Sequence, residues 1–426
     1  VAQLLKSHRL VPSLVRGLSR EILAAAGRPA AALHALAREI PESVAQVRSR
    51  VDLNSPELTR RLDGKQMRVG VLLPNVNGTA ISLLALWRIG KIPAVLNYST
   101  GVPIMQTCAE LAGLRQVITS RVFLAKAKLD VTPMKAAGIE FVYLEDIRKR
   151  ISGLAKLGVF LKHRLALGRA RFGIPAGQTA VILFTSGSEG VPKGVELTHR
   201  NILANLRQLL SAVDLVDSDS LFNCLPMFHS FGLVVGTLLP LCRGLRSYQF
   251  PSPLQYRQIP TAVYNSNATL FLSTNTFLNG YARKAHPYDF RNVRYLLAGA
   301  EKVQQATSDT WARKFGIRIN EAYGVTECAP AICANTKADN RFGSVGRLLP
   351  GIEWRLEPVD GVAQRSGQPP FGIFELTGVG LVAALTGTLF LLVSGRFLLP
   401  NRPDAADRDS GRPLEERYLT QLRVTQ

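Results

Sequence analysis

The sequence is poor in the residues that would point to a stapled or metal-held fold. It has five cysteines, Cys108, Cys224, Cys242, Cys328 and Cys333. The number is odd and no Cys-x-x-Cys spacing occurs, which excludes a disulfide framework and a thiolate zinc site and fits a reducing compartment. Its six histidines are scattered, so no metal-ligating cluster is visible. Aromatic residues are only 7% of the chain, do not interleave with the basic ones, and meet no long lysine or arginine tract. Nucleic acid therefore ranks last among the partners of a basic chain. The first residues carry no secretory pattern, because Arg9, Arg16 and Arg20 interrupt any apolar core.

Acidic residues are scarce as well: 31 against 52 basic ones, a net charge of +21. An anionic membrane surface and phosphate-bearing substrates both fit this balance, and a plain solvated basic surface fits it equally. At 426 residues the chain can bury a large core and hold two or more structural units.

Residues 1–65 are rich in alanine, leucine and arginine and read as a basic helical lead-in or linker, with Pro29, Pro41 and Pro56 as breakers. From residue 66 to 362 short apolar runs alternate with helical patterns. Strands are expected at Val69–Leu73, Ala94–Asn97, Gln116–Thr119 and Phe141–Leu144, with helices at Thr79–Ile89, Pro103–Ala112 and Val122–Leu129 between them. Further strands are expected near Leu221–Leu225, Thr269–Leu272, Tyr295–Leu297 and Ile317–Asn320. Such alternation implies an α/β fold with parallel sheets covered by helices. Residues 145–178 read as a basic connector, and Gly343–Glu357 as a small β unit. Residues 363–375 form a junction. Leu376–Val393 is an uncharged apolar run of eighteen residues, just long enough for a membrane-spanning helix and also readable as a buried core helix. Residues 394–426 form a polar, arginine-rich tail.

The most informative stretch is Phe184-Thr185-Ser186-Gly187-Ser188-Glu189-Gly190-Val191-Pro192-Lys193-Gly194-Val195. Glycines let backbone N–H groups approach anionic oxygens closely. Thr185, Ser186 and Ser188 add hydroxyl donors, and Lys193 adds a point charge. This is a phosphate-cradling composition but not a Walker loop, since Pro192 precedes Lys193 and Gly194 follows it. Thr198 is placed to cap a following amphipathic helix that runs to about Leu210.

Three later segments complete the pattern: Leu225-Pro226-Met227-Phe228-His229-Ser230-Phe231-Gly232, Leu297-Ala298-Gly299-Ala300-Glu301-Lys302 and Ala322-Tyr323-Gly324-Val325-Thr326-Glu327. Together with the loop they resemble the adenylate-forming ligases, which include acyl-CoA synthetases and luciferases. The resemblance implies the large N-terminal body of those enzymes, with ATP and Mg²⁺ as cofactors. It implies that Thr185, Ser186, Gly187, Ser188, Gly190 and Lys193 hold the β- and γ-phosphates of ATP, and that Gly299, Ala300 and Glu301 form a turn against adenine. Tyr323 would stack on the base beside Gly324, Thr326 would contact the α-phosphate, Glu327 would hold Mg²⁺, and His229 would orient the substrate carboxylate. Lys193, Thr326, Glu327 and His229 are the catalytic set so implied.

Finer wording, including Gly280-Tyr281-Ala282-Arg283 and Ala285-His286-Pro287-Tyr288-Asp289-Phe290, resembles the ligase half of the acyl-carrier-protein synthetase/2-acylglycerophosphoethanolamine acyltransferase proteins. That resemblance implies activation of a long-chain fatty acid, transfer to acyl-carrier protein or coenzyme A, and phospholipid re-acylation at the cytoplasmic face of the inner membrane. The pattern stops near Asp360–Gln368, and the last lysine of the sequence is Lys337. The family's mobile C-terminal domain carries a lysine used in adenylation, so the sequence reads as truncated before that domain and impaired in catalysis. The alternative reading is a non-catalytic, membrane-tethered nucleotide- or acyl-binding remnant or fusion product.

Overall fold

The computed structural model describes residues 44–164, 174–186 and 191–353. The first sheet contains β1 (Arg68–Val71), β2 (Ile92–Val95), β3 (Gln116–Thr119), β4 (Glu140–Tyr143), β5 (Thr179–Ser186) and β6 (Pro192–Thr198), in the order β4-β3-β1-β2-β5-β6. Its strands run parallel except at the β5–β6 hairpin. The second sheet contains β7 (Ser220–Asn223), β8 (Arg246–Gln249), β9 (Leu270–Ser273), β10 (Tyr295–Ala298), β11 (Ile319–Gly324), β12 (Ala331–Ala334) and β13 (Arg347–Leu348). Their order is β13-β12-β11-β10-β9-β7-β8, parallel from β8 to β11 and antiparallel beyond.

The buried strands follow from composition. β3, β7, β9 and β10 are buried at every position. Parallel strands covered on both faces are selected for near-continuous apolar residues, which is why these runs are readable in the sequence. One core cluster draws on both sheets, joining Val69, Val71, Val95 and Leu183 to Leu221, Leu270 and Leu297. Helix α8 (His199–Ala212) adds Ile202, Leu206 and Leu209 to it. A second cluster packs Phe222, Phe271, Phe290 and Trp311 on the far face of the second sheet.

Thr198 caps α8 as expected: its hydroxyl accepts from the Asn201 N–H at 3.1 Å, and the Asn201 side chain accepts from the Thr198 N–H at 2.9 Å. The buried Asn75, after β1, donates to the Asn223 and Phe250 carbonyls at 3.1 and 3.0 Å. It thereby ties the end of β1 to the ends of β7 and β8.

Several expectations change. Pro56 lies inside helix α1 (Val44–Arg61) and does not break it. The Ser55 hydroxyl and Asn54 amide bond the Val51 and Arg50 carbonyls of the preceding turn, supporting a ladder from which proline removes one donor. Leu58 and Leu62 of this region are buried in the shared core. Helices α2 (Asn77–Arg88), α3 (Val102–Leu111), α4 (Arg121–Ala127) and α5 (Thr132–Ala136) then alternate with strands. The described part of the 145–178 stretch is not a connector: it forms α6 (Leu144–Arg150) and α7 (Gly153–Arg164). Charge dominated the composition there and concealed a leucine row at helical spacing. Of the β unit at Gly343–Glu357, β13 is the part formed among the described residues. No helix among the described residues is long and apolar enough to cross a membrane. The Leu376–Val393 run lies outside them.

Candidate active site

Sheet order assembles the site. The strands β11, β10, β9 and β7 are neighbours and parallel, so their carboxyl ends share one edge. The chain leaves that edge four times: into Leu225–Gly232 after β7, Thr274–Thr276 after β9, Gly299–Lys302 after β10, and Val325–Cys328 after β11. Ligands of open α/β sheets bind outside the carboxyl ends of the strands. Three of these four segments are the ones singled out in the sequence.

Named contacts join them. The Ser230 and Thr326 hydroxyls are 3.3 Å apart. A β-carbon built on Gly299 would lie 3.4 Å from the Ala322 carbonyl oxygen and 3.4 Å from the Phe231 ring, so the segments after β7 and β10 meet there beside β11. The Gly299 N–H donates to the Ser273 carbonyl at 3.2 Å. Ala300 adopts φ +68°, the left-handed region that side-chain-bearing residues seldom occupy, so the expected adenine turn holds local strain. The Glu301 carboxylate accepts from the Thr276 N–H at 3.2 Å and hydroxyl at 2.6 Å, at the start of helix α11 (Asn275–Lys284), which follows α9 (Leu239–Arg243) and α10 (Gln258–Ser266). Glu301 thus has its own structural partner in the turn.

The phosphate-loop residues divide. Thr185 and Ser186 end β5, while Lys193 lies in β6 directly opposite Thr185. The expected loop is therefore largely a hairpin, because backbone pairing continues through Ser186↔Pro192. Gly187, Ser188 and Gly190 lie outside the described residues. Strand β6 runs beside the short 3₁₀ turn Thr326–Cys328, so the strand bearing Lys193 adjoins the turn bearing Glu327. Lys193 and Glu327 are both solvent-exposed.

His229 keeps an exposed face, yet surrounding protein desolvates the ring and holds its pKa below the ordinary histidine value. Crowding without covering is the signature of a concave site, and it favours the neutral imidazole near neutral pH. Its ring lies 4.7 Å from that of Phe228. Gly232 is the second residue of a π-helical turn, Phe231–Leu238, and a β-carbon on it would sit 2.2 Å from the Pro226 carbonyl oxygen. Only glycine lets the His229 segment fold back this tightly.

The fit to a nucleotide rests on the donor set. Tyr323 leaves 49% of its surface exposed, so an aromatic face is available to a purine. Gly324 carries no side chain, and Thr326 and Glu327 offer a hydroxyl and a hard oxygen ligand suited to phosphate and Mg²⁺. The Thr274 hydroxyl, at the end of β9, is buried without a hydrogen-bond partner among the described residues, which suits an edge built to receive a polar ligand. Thr274 and Thr276 escaped the sequence reading. Their signal is the polar run Ser-Thr-Asn-Thr directly behind an apolar strand. Two finer motifs prove to be structural: Tyr281 is buried in the second core and donates to the Pro253 carbonyl at 2.7 Å, and His286 and Asp289 cap their own turn.

Comparison with known proteins bears on the family and the fold. A long-chain-fatty-acid–CoA ligase of Yersinia pestis is 32% identical over 200 residues, which cover 45% of this chain and 35% of the relative. One from Salmonella typhimurium is 24% identical over 316 residues, covering 68% and 56%. The chain thus spans between a third and just over half the length of these relatives. Among solved structures, the inhibitor-bound N-terminal domain of FACL13 from Mycobacterium tuberculosis shares the fold with a TM-score of 0.60 at 19% identity, over 74% of this chain and 79% of that one. ATP-bound MatB from Rhodopseudomonas palustris gives 0.60 at 22% identity, over 72% and 59%. The profile of the AMP-binding enzymes matches residues 27–379, most of the sequence, and the chain therefore belongs to the AMP-binding enzyme family of adenylate-forming ligases.

Proposed function

We propose that the chain activates a long-chain fatty acid with ATP. A carboxylate oxygen of the acid attacks the α-phosphorus, the bond to the bridging oxygen of the β-phosphate breaks, and pyrophosphate leaves. The product is an acyl-adenylate. A thiol of coenzyme A or of an acyl-carrier protein then attacks the acyl carbon and expels AMP. The observation that carries this reading is the meeting of the His229–Ser230, Gly299–Glu301 and Thr326–Glu327 segments at one sheet edge.

In this reading catalysis rests on positioning and on donors aimed at developing charge. Neutral His229 orients the carboxylate without competing for it as a cation. Thr326 holds the α-phosphate, Tyr323 holds the base, and Lys193 reaches phosphate from β6. Glu327 is the residue to hold Mg²⁺, which when bound neutralises charge on the phosphates. The two ligase relatives named above support a fatty acid as substrate. The basic composition is compatible with an anionic membrane surface, and the resemblance to the acyl-carrier-protein synthetase proteins is what suggests phospholipid re-acylation at the cytoplasmic face of the inner membrane.

The test is fatty-acid-dependent exchange of labelled pyrophosphate into ATP by the full 426-residue chain. Exchange that requires Mg²⁺ and is lost in Glu327→Ala is expected. A folded chain that binds ATP but exchanges nothing would show a nucleotide binder and overturn the catalytic reading.

A further inference from the structure

Helix α7 carries an apolar face that the described part of the molecule leaves open. Leu154, Leu157 and Leu161 are spaced three and four residues apart, which sets them along one side of a helix. They are 82%, 53% and 44% exposed. Val159 of the same helix is half-buried, and α7 leans on α1. The leucine row is therefore not the face that holds α7 to the fold.

The charge around the row has one sign. No acidic residue occurs from Ile147 to Arg164, whereas Arg148, Lys149, Arg150, Lys156, Lys162 and Arg164 are basic. Arg148, Lys149 and Arg150 form the exposed last turn of α6, and Lys156 is exposed on α7. An exposed leucine row in a stretch of sequence whose only charges are cations, three of them exposed in the last turn of α6, suits a membrane interface, with leucines entering the acyl boundary and cations meeting anionic headgroups. The row is about 10 Å long from Leu154 to Leu161.

We propose that α7 docks this protein on an anionic lipid surface, lying along it with Leu154, Leu157 and Leu161 inserted. An acidic protein would match the cations but would also need an apolar groove shaped to the row. A bilayer supplies an apolar medium without shape. The inference deepens the membrane part of the proposed function and holds whether or not the chain forms an adenylate. A fatty acid partitions into the same bilayer, so docking brings the site to its substrate.

Co-sedimentation of the full chain with phosphatidylglycerol/phosphatidylethanolamine vesicles, against phosphatidylcholine vesicles, tests this. Binding is expected on the anionic vesicles alone, weakened by salt. It should fall about tenfold or more in the triple variant Leu154→Asn, Leu157→Asn, Leu161→Asn. Leu157→Trp supplies a readout that does not depend on tolerating three changes. Its added emission should shift to the blue, and be quenched by brominated acyl chains, only with anionic vesicles. Wild-type chain that ignores anionic vesicles, or a triple variant that binds as wild type, overturns the proposal. So does Leu157→Trp emission already blue-shifted without lipid, which would show that another segment or protein covers the row. Pyrophosphate exchange with a detergent-dispersed acid separates the readings. Vesicle binding without exchange leaves docking intact and removes catalysis.

Discussion

The Ser230 and Thr326 hydroxyls meet at 3.3 Å across 96 residues of sequence. Ser230 is buried and Thr326 half-buried, so in the proposed reading Ser230 is placed to orient Thr326. Thr326→Ala should lower pyrophosphate exchange ~100-fold, the scale for losing one donor to developing charge. Thr326→Ser, which keeps the hydroxyl, should retain most activity. Ser230→Ala should lose about tenfold by itself and nothing further when added to Thr326→Ala, because the two act as one unit. Additive losses in the double variant would show that Ser230 does not act through Thr326.

Gly324 ends β11 where the pairing with β12 shifts register. A β-carbon there would lie 2.1 Å from the Pro330 carbonyl oxygen. Backbone rather than a flexible side chain blocks it, so Gly324→Ala must displace the β11–β12 turn that carries Thr326 and Glu327. The expected loss is about 1–3 kcal/mol in denaturant unfolding, as for other overpacked sites. Gly64→Ala is the control, since nothing lies within 4 Å of its β-carbon. Equal midpoints for the two variants would mean that the turn yields without cost.

How much of this was legible in the sequence depended on how each residue is held. Gln116–Thr119 was read with its observed bounds because a strand buried at every position must be apolar throughout or internally paired. Strand β6 was missed. Pro192, Lys193 and Gly194 suggest a loop, and their pairing with β5 is visible only once the hairpin forms. The charged residues of α6 and α7 outweighed the leucine row in composition, although the row has helical period. The three site segments were found by motif, but their convergence was not. Adjacency of β11, β10, β9 and β7 is a property of sheet order, which local sequence does not encode. Thr274 and Thr276 were missed for the same reason: they matter only because β9 lies between β10 and β7.

His199 gives the fold an acid-sensitive point. It is buried, its ring 5.7 Å edge-on from Trp87, and burial lowers its pKa from 6.5 to about 4. Between those values the unfolded chain binds a proton that the folded chain refuses, so stability rises with pH across the window. The contribution is complete above about pH 6.5 and is lost as pH falls toward 4, on the order of 3 kcal/mol. His199→Gln removes the titration. The variant should be less stable than wild type at pH 7 but show a shallower decline between pH 6.5 and 4.5 in urea unfolding. Parallel declines would place the acid sensitivity elsewhere.

Tyr323 offers the cleanest separation of nucleotide binding from chemistry. It precedes Gly324 on β11 and leaves about half its surface open, while Cys333 is its partner on β12. Stacking of a base on an aromatic ring is worth roughly 1–3 kcal/mol by alanine substitution. Tyr323→Ala should therefore raise the ATP concentration for half-maximal exchange by about tenfold, within a range of roughly fivefold to a hundredfold, and change the maximal rate little. Tyr323→Phe keeps the ring and should stay near wild type, which excludes the phenol oxygen as the source of the effect. A Tyr323→Ala variant with unchanged ATP dependence but a reduced maximal rate would move this residue from base binding to the orientation of the Thr326–Cys328 turn.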